Sequence, residues 1–328
     1  MFLRYVARRL LFSFFIMVGV SIVSFVVIQL PPGDYLTSYI QDLQMRGTIV
    51  DQQMIDSLRI IYGLDEPMYV QYFKWMEKIF EGNFGVSFDL NKTVAEAIAE
   101  RLPLTILISL ATTFVVYLIA IPIGIYSAVH QYSLADFAAT FLAFIGVATP
   151  NFILALILVW AGYSLFNISI GGLVSQQFIQ EPMSWAKFLD ILKHLPIPLI
   201  VIGLSGTAGT IRVLRAGLLD ELRKQYVVTA RAKGLPETRL ILKYPVRTAM
   251  NPIVSSMAWM LPNIVSGETI VSIVLGLPTI GPMLYRALIS QDMYLAATCV
   301  LLLSFMTVIG MLVSDILLGI LDPRIRYD

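Results

Sequence analysis

Two histidines, one cysteine and two acids embedded in apolar runs are the residues of this 328-residue chain with most scope for chemistry. His130 and His194 stand apart near the edges of apolar runs, with no metal-ligand spacing around them. Cys299, the single cysteine, forms no internal disulfide and no multi-cysteine metal site. No motif favours a Ser–His hydrolase. A phosphate loop requires Gly, four residues and then Gly-Lys-Ser/Thr, and the chain contains no Gly-Lys pair. The glycine-rich stretch from Gly203 to Thr210 reads as close helix packing. The chain is therefore expected to hold no metal or cofactor and to catalyse nothing alone.

The two embedded acids differ in depth. Glu268 lies deep within the run from Ile253 to Leu277. A charge near a bilayer centre costs roughly 2.5–3.5 kcal/mol on insertion scales. Glu268 therefore faces either a water-filled pathway or a structural polar partner, and both readings stand. Asp315 sits near the end of the run from Met293 to Ile320 and reads as structural, reaching the interface or pairing with Arg324 or Arg326. Prolines interrupt other runs at Pro122, Pro150, Pro196, Pro198 and Pro262. Each removes a backbone hydrogen bond and can bend its helix. Pro150-Asn151 and Pro262-Asn263 join Glu268 as candidate pathway-lining residues, although prolines are common in membrane helices.

A third signal is a basic stretch, residues 212–250, with nine basic and three acidic residues. It is expected to be helical through Ala232, to break at Gly234-Leu235-Pro236 and to resume at Glu237. Glycine suits the left-handed position that ends a helix, and proline the first turn of the next. The result is a helical hairpin. Thr229, Ala230, Ala232 and Gly234 are small enough for another protein's backbone to approach, and Arg231 and Lys233 suit acids on such a partner. Read without function, the same stretch is ordinary cytoplasmic basic charge with a helix cap.

The elements that hold these residues are membrane spans. The chain is 57% hydrophobic and only 14% charged, against roughly 25% charged in soluble proteins. Six spans are expected: Leu10–Leu30, Leu102–Val129, Phe137–Phe166, His194–Ile211, Ile253–Leu277 and Met293–Ile320. About 20 apolar residues cross the hydrocarbon as a helix, which satisfies its own backbone in lipid. The fourth is short and rich in Gly, Ser and Thr. All 23 basic residues fall outside these spans, and of the 22 acids only Glu268 and Asp315 fall inside. Six spans alternate the loops between two sides. The side holding both ends of the chain and 212–250 carries 14 of the basic residues and the other side 9 over longer sequence, so the former is expected to be cytoplasmic. The first run is too long for a secretion signal and is followed by Pro31-Pro32-Gly33-Asp34, so it is expected to remain as a span.

Three segments follow: 1–30 with the first span, an extracytoplasmic loop or cap at 31–101, and a core at 102–328. The cap has a net charge of −5, a helix-compatible aromatic stretch from Tyr69 to Phe80 and turn signals at Glu81-Gly82-Asn83-Phe84-Gly85. It is either a docking or gating surface for something arriving from outside, or a solvated connector.

These residues resemble a known family. Val228-Thr229-Ala230-Arg231-Ala232-Lys233-Gly234 is similar to the cytoplasmic coupling motif of ABC importer permeases, Glu-Ala-Ala, three residues, Gly. Ala230 and Gly234 match, and Val228 and Thr229 replace the first two positions. Further likenesses are to the B-type subunit of oligopeptide and dipeptide permeases. They are Arg8-Arg9-Leu10 with Pro32-Gly33-Asp34, Tyr62-Gly63-Leu64-Asp65, Gly82-Asn83-Phe84-Gly85, Arg101-Leu102-Pro103-Leu104-Thr105, Val246 to Pro252, Gly267-Glu268 and Leu321-Asp322-Pro323-Arg324-Ile325-Arg326. One departure is Pro278-Thr279-Ile280-Gly281, where the family has Pro-Gly-Leu-Gly; the missing glycine makes that turn less permissive.

The resemblance implies an all-α, type I ABC importer permease with both termini inside and a cytoplasmic coupling hairpin. It implies a heterodimer with a second, homologous permease, two cytoplasmic ATPases that bind ATP and Mg, and an extracytoplasmic solute-binding protein. No nucleic acid is expected. The substrate implied is a peptide, with oligosaccharide, nickel and glutathione as alternatives. An ATP-independent secondary transporter or channel, or an intramembrane enzyme, are readings from other classes; the paired half-repeats common in secondary transporters are not evident.

Overall fold

Apolar length decides the architecture. The computed structural model describes residues 2–29, 66–87, 89–166, 171–178, 181–182, 184–257 and 269–321. Its helices in chain order are α1 (Phe2–Gln29), α2 (Met68–Phe80), α3 (Val94–Val129), α4 (Leu134–Ala148), α5 (Asn151–Phe166), α6 (Trp185–His194), α7 (Pro196–Leu222), α8 (Gln225–Ala232), α9 (Glu237–Lys243), α10 (Pro245–Ala249), α11 (Thr269–Val274), α12 (Ile280–Ile289) and α13 (Met293–Leu321). A helical stretch also covers 251–257. A two-residue antiparallel ribbon, β1 (Val86–Ser87) with β2 (Lys92–Thr93), pairs Val86 with Thr93 and Ser87 with Lys92.

Among the described residues, four stretches are long and apolar enough to cross a membrane: Ala7–Val26, Val94–Val129, Trp185–Leu222 and Met293–Leu321. Their outer faces are apolar, as at Phe15 (62% exposed) and Leu118 (58%), which suits hydrocarbon as the solvent. The expected third span differs. It is two helices, Leu134–Ala148 and Asn151–Leu165, bent by 98°. Pro150 disfavours the helical conformation in the residue before it, and Thr149 is extended at φ −90° and ψ 118°. The expected fourth span is also corrected: α6 and α7 follow each other from Trp185 to Leu222 with Pro196 opening the second, so its glycines and threonines sit inside a long helix. Much of the expected fifth span, including Pro262, Asn263 and Glu268, lies outside the described residues, as do 31–65 of the expected cap and the closing signature beyond Leu321.

The chain divides into two compact units, interleaved in sequence: Met1–Leu10, Leu104–Pro278 and Met306–Asp328, and Leu11–Pro103 with Thr279–Phe305. In the first, α7 is the central element. Val201 and Ile202 pack with Ala155 of α5 and Val271 of α11, and further along Leu214 and Leu218 pack with Val227, Leu240 and Ile253. Arg9 pairs with Asp315 at 3.1 Å, and Arg247 donates to the terminal carbonyl of Leu321 at 2.8 Å. A cation there satisfies an orphan carbonyl and opposes the helix dipole. The start of α1, the end of α13 and the α8–α10 region therefore meet at one end of this unit. Among the described residues Asp315 takes Arg9; Arg324 and Arg326, its expected partners, lie outside them.

In the second unit, α2 presents Tyr72, Trp75, Met76 and Ile79 at helical spacing to Phe25 of α1 and to Ala297 and Leu301 of α13. Trp75 stacks on Phe25 at 5.4 Å between ring centroids. The expected turn after α2 is present, with Gly82 and Gly85 at φ +80° and +86°. Thr279 is extended at φ −103° and ψ 173° before α12, a conformation open to any residue, so the missing family glycine is not needed.

Candidate functional site

The basic segment folds into the expected hairpin, with two additional breaks. α7 ends at Leu222 and α8 begins at Gln225; α9 ends at Lys243, before Pro245 opens α10. At the first break Glu221 accepts from Tyr226 Oη at 2.5 Å and lies 2.5 Å from Lys224 Nζ. Burial, followed by the bond to Glu221, pushes the Tyr226 hydroxyl up to about 12. This clamp sets the angle at which α8 leaves α7. Sequence reading missed it because neither Glu221 nor Tyr226 sits in a distinctive motif.

The tip is closed by backbone geometry. Gly234 has φ +77°. Its N–H donates to the Arg231 carbonyl at 3.0 Å, and the Leu235 N–H to the Ala230 carbonyl at 3.4 Å. This is the Schellman pattern, in which a left-handed residue turns the chain and satisfies the last helical carbonyls. Arg231 grips Glu237 through two hydrogen bonds of 2.5 and 3.0 Å. That grip holds the Glu237 carboxyl below its usual range and raises the Arg231 guanidinium.

Val227 and Ala230 face inward against Leu235 and Leu240. Thr229, Arg231, Ala232, Lys233 and Gly234 are exposed, and a Cβ built on Gly234 meets nothing within 4 Å. Of the six residues singled out at the tip, Ala230 is thus part of the hairpin's own core. Arg231 is engaged within the chain, while Lys233 is exposed. The arrangement is a rigid, small-residue, cationic tip.

The second feature is the break between α4 and α5. A cavity of about 240 Å³ lies there, lined by Thr149, Pro150 and Asn151, by Ser205 at mid-α7, and by Ile270 and Val271 of α11. Pro150 and Asn151 therefore border a cavity. Glu268, Pro262 and Asn263 lie outside the described residues. Thr149 and Ser205 are additions. Ser205 was legible only as one small residue in a run read as packing. That reading holds for Gly203, where a Cβ would lie 3.2 Å from Val116, but not for Gly209, where it would meet nothing within 4 Å.

A third feature had no sequence signal. Asp136 of α4 is 2% exposed and accepts from Arg215 Nε and Nη2 of α7, both at 2.7 Å. It also accepts from Ser127 Oγ of α3 and from the Tyr132 N–H at 2.9 Å. Tyr132 is held at φ +66°, rare for a bulky residue. No group of three or more His, Cys, Asp or Glu able to hold a metal occurs among the described residues.

Comparison with known proteins gives these features a context. Residues 120–327 match the family described as "Binding-protein-dependent transport system inner membrane component". Residues 2–111 match its N-terminal counterpart, the membrane component of such systems. The chain is 34% identical over 327 residues to the oligopeptide transport system permease protein AppB of Bacillus subtilis, covering 98% of this chain and 99% of that protein. It is 32% identical over 286 residues to the inner membrane ABC transporter permease protein YejB of Escherichia coli O157:H7, covering 86% and 78%.

Proposed function

The chain belongs to the family of binding-protein-dependent transport system inner membrane components, and on that premise we propose that it forms half of a peptide pathway driven from its α8–α9 hairpin. It is a multi-pass inner-membrane permease of the ABC class. Peptide is the cargo this reading favours, because the oligopeptide permease matches along the full chain. A second, homologous permease completes the pathway, two separate ATPases bind ATP and Mg, and a solute-binding protein delivers the peptide from outside.

The observation that carries the reading is the hairpin tip. It is rigid through the Schellman closure and the Arg231–Glu237 pair, and it exposes Thr229, Ala232, Lys233 and Gly234. The basic excess around it favours the cytoplasmic side. A lever needs a stiff tip with a small-residue surface, so that a motor subunit can seat on it closely. The cavity at the α4–α5 break, with Pro150 and Asn151, is the favoured pathway segment, and Glu268, Pro262 and Asn263 are proposed to line it further along the chain.

The test is the complete transporter in proteoliposomes, with peptide uptake and ATP hydrolysis measured together. Gly234→Asp places a charge on the tip while keeping a residue type that tolerates the left-handed region. Loss of uptake per ATP with the complex intact supports the reading. Uptake and hydrolysis both unchanged in Gly234→Asp would overturn it, as would peptide uptake without the ATPases.

A further inference from the structure

The described spans contain one charge pair buried between helices of the first unit, and its placement relative to the hairpin is informative. Arg215 lies two turns before the end of α7, the helix that leads directly into α8. Its partner Asp136 lies in the first turn of α4, the helix that ends at the Thr149-Pro150 break beside the cavity.

Contacts continue from this pair along both helices. Arg212 lies over the Phe144 ring, 5.0 Å from its centroid. A Cβ on Gly146 would lie 3.0 Å from the Ala208 Cβ, so the backbones approach closely there. The partners advance along α7 as they retreat along α4, so the two helices run antiparallel. The ion pair lies at the hairpin end and the glycine contact next to the break.

Each contact opposes a different motion. The bidentate pair fixes α4 against sliding and rotation about α7, because guanidinium and carboxylate must stay coplanar to keep two bonds. The glycine contact leaves no slack at the far end. The Tyr132 N–H and Ser127 hydroxyl tie the same carboxylate to the α3–α4 turn. Next to Arg215, Leu214 is fully buried, and a Cβ on Gly124 of α3 would lie 3.2 Å from its side chain, so α3 packs closely on α7 at the level of the pair.

We infer that α4 and α7 move as one lever, and that the Asp136–Arg215 pair is the positioning lock that carries hairpin displacement to the α4–α5 break and its cavity. Neither residue is among the exposed residues of the hairpin tip or those that line the cavity. The inference rests on the coupling reading above and adds the route by which the motion reaches the pathway.

The experiment uses the complete transporter in proteoliposomes, recording uptake per ATP for Asp136→Asn, Arg215→Gln and Arg215→Lys. Asp136→Asn and Arg215→Gln are expected to keep ATP hydrolysis while uptake per ATP falls about tenfold, within the range of coupling free energies. Arg215→Lys, which retains the charge, recovers part of that loss. A merely structural pair would lower hydrolysis and uptake in proportion, and that result overturns the inference. Unchanged uptake per ATP in both neutral variants also overturns it.

A second arm does not depend on those variants folding. Gly146→Cys with Ala208→Cys, in a Cys299→Ser background, places two thiols near disulfide spacing. A rigid lever tolerates the oxidised cross-link with uptake intact. Uptake that stops on oxidation and returns on reduction means the helices must slide, and sinks the proposal. If Gly234→Asp leaves uptake and hydrolysis both unchanged, the coupling reading itself has failed; if it uncouples while Asp136→Asn does not, only the lever is wrong.

Discussion

Ser87 Oγ donates a 2.6 Å hydrogen bond to Asp292 Oδ2, joining residues 205 positions apart. Asp292 also accepts from the Leu295 N–H at 3.2 Å, so one carboxyl both caps α13 and anchors the β1–β2 ribbon. Burial pushes this carboxyl above its ordinary value, against the pull of those hydrogen bonds.

The sign of the resulting pH dependence follows. The folded state binds the Asp292 proton more tightly than the unfolded chain, so this stabilisation is complete below the unfolded value of 3.8. It is lost as pH rises through the folded value. Melting of the purified protein between pH 4 and 7 is expected to show this falling component, and Asp292→Asn to remove it. Asp292→Leu orphans the Ser87 hydroxyl and the Leu295 N–H and is expected to cost about 1–3 kcal/mol for the lost acceptor.

The hairpin has the opposite sign. Glu237 is held below its usual value of 4.5 by Arg231. Its contribution is present above that value and is lost as pH falls through the lowered one. The protection of residues 226–237, exchange measured relative to the intrinsic rate at each pH, is expected to fall on acidification. In Glu237→Gln that protection is lower at neutral pH and changes little with pH. Both partners are half exposed, so the effect is local and weakens with salt.

Removing one member of the Asp136–Arg215 pair leaves an uncompensated charge in a membrane protein interior. Asp136→Ala is expected to cost about 3–5 kcal/mol, read as a lowered unfolding midpoint. Asp136→Leu combined with Arg215→Met is expected to restore much of that loss while leaving uptake impaired. Stability and coupling would then separate.

The cavity at the α4–α5 break predicts a block. Ser205→Phe fills part of the roughly 240 Å³ beside Thr149 and Asn151. Peptide uptake is expected to fall while the ATPases remain assembled, as shown by copurification. Ser205→Ala, which keeps the space, is expected to retain most uptake.

The spans were legible because lipid imposes a simple rule: about 20 apolar residues without charge. The hairpin tip was equally legible, since Gly234-Leu235-Pro236 carries local backbone rules in three residues. The 98° turn at Thr149-Pro150 was not. Hydropathy is continuous across 137–166, and a proline alone does not distinguish a kink from a break. The short fourth span became a long helix because α6 adds an amphipathic segment that no hydropathy window for a span would include.

Composition and periodicity alone therefore determined that this chain lives in a bilayer, lacks a phosphate loop and carries a basic hairpin, because each is a property of contiguous residues. Only the tertiary structure decided that Asp136 meets Arg215 across 79 positions, that Asp315 takes Arg9, and that Ala230 turns inward while Gly234 faces out. Those pairings depend on which helices lie side by side, and long-range adjacency leaves no mark on the residues nearest in sequence.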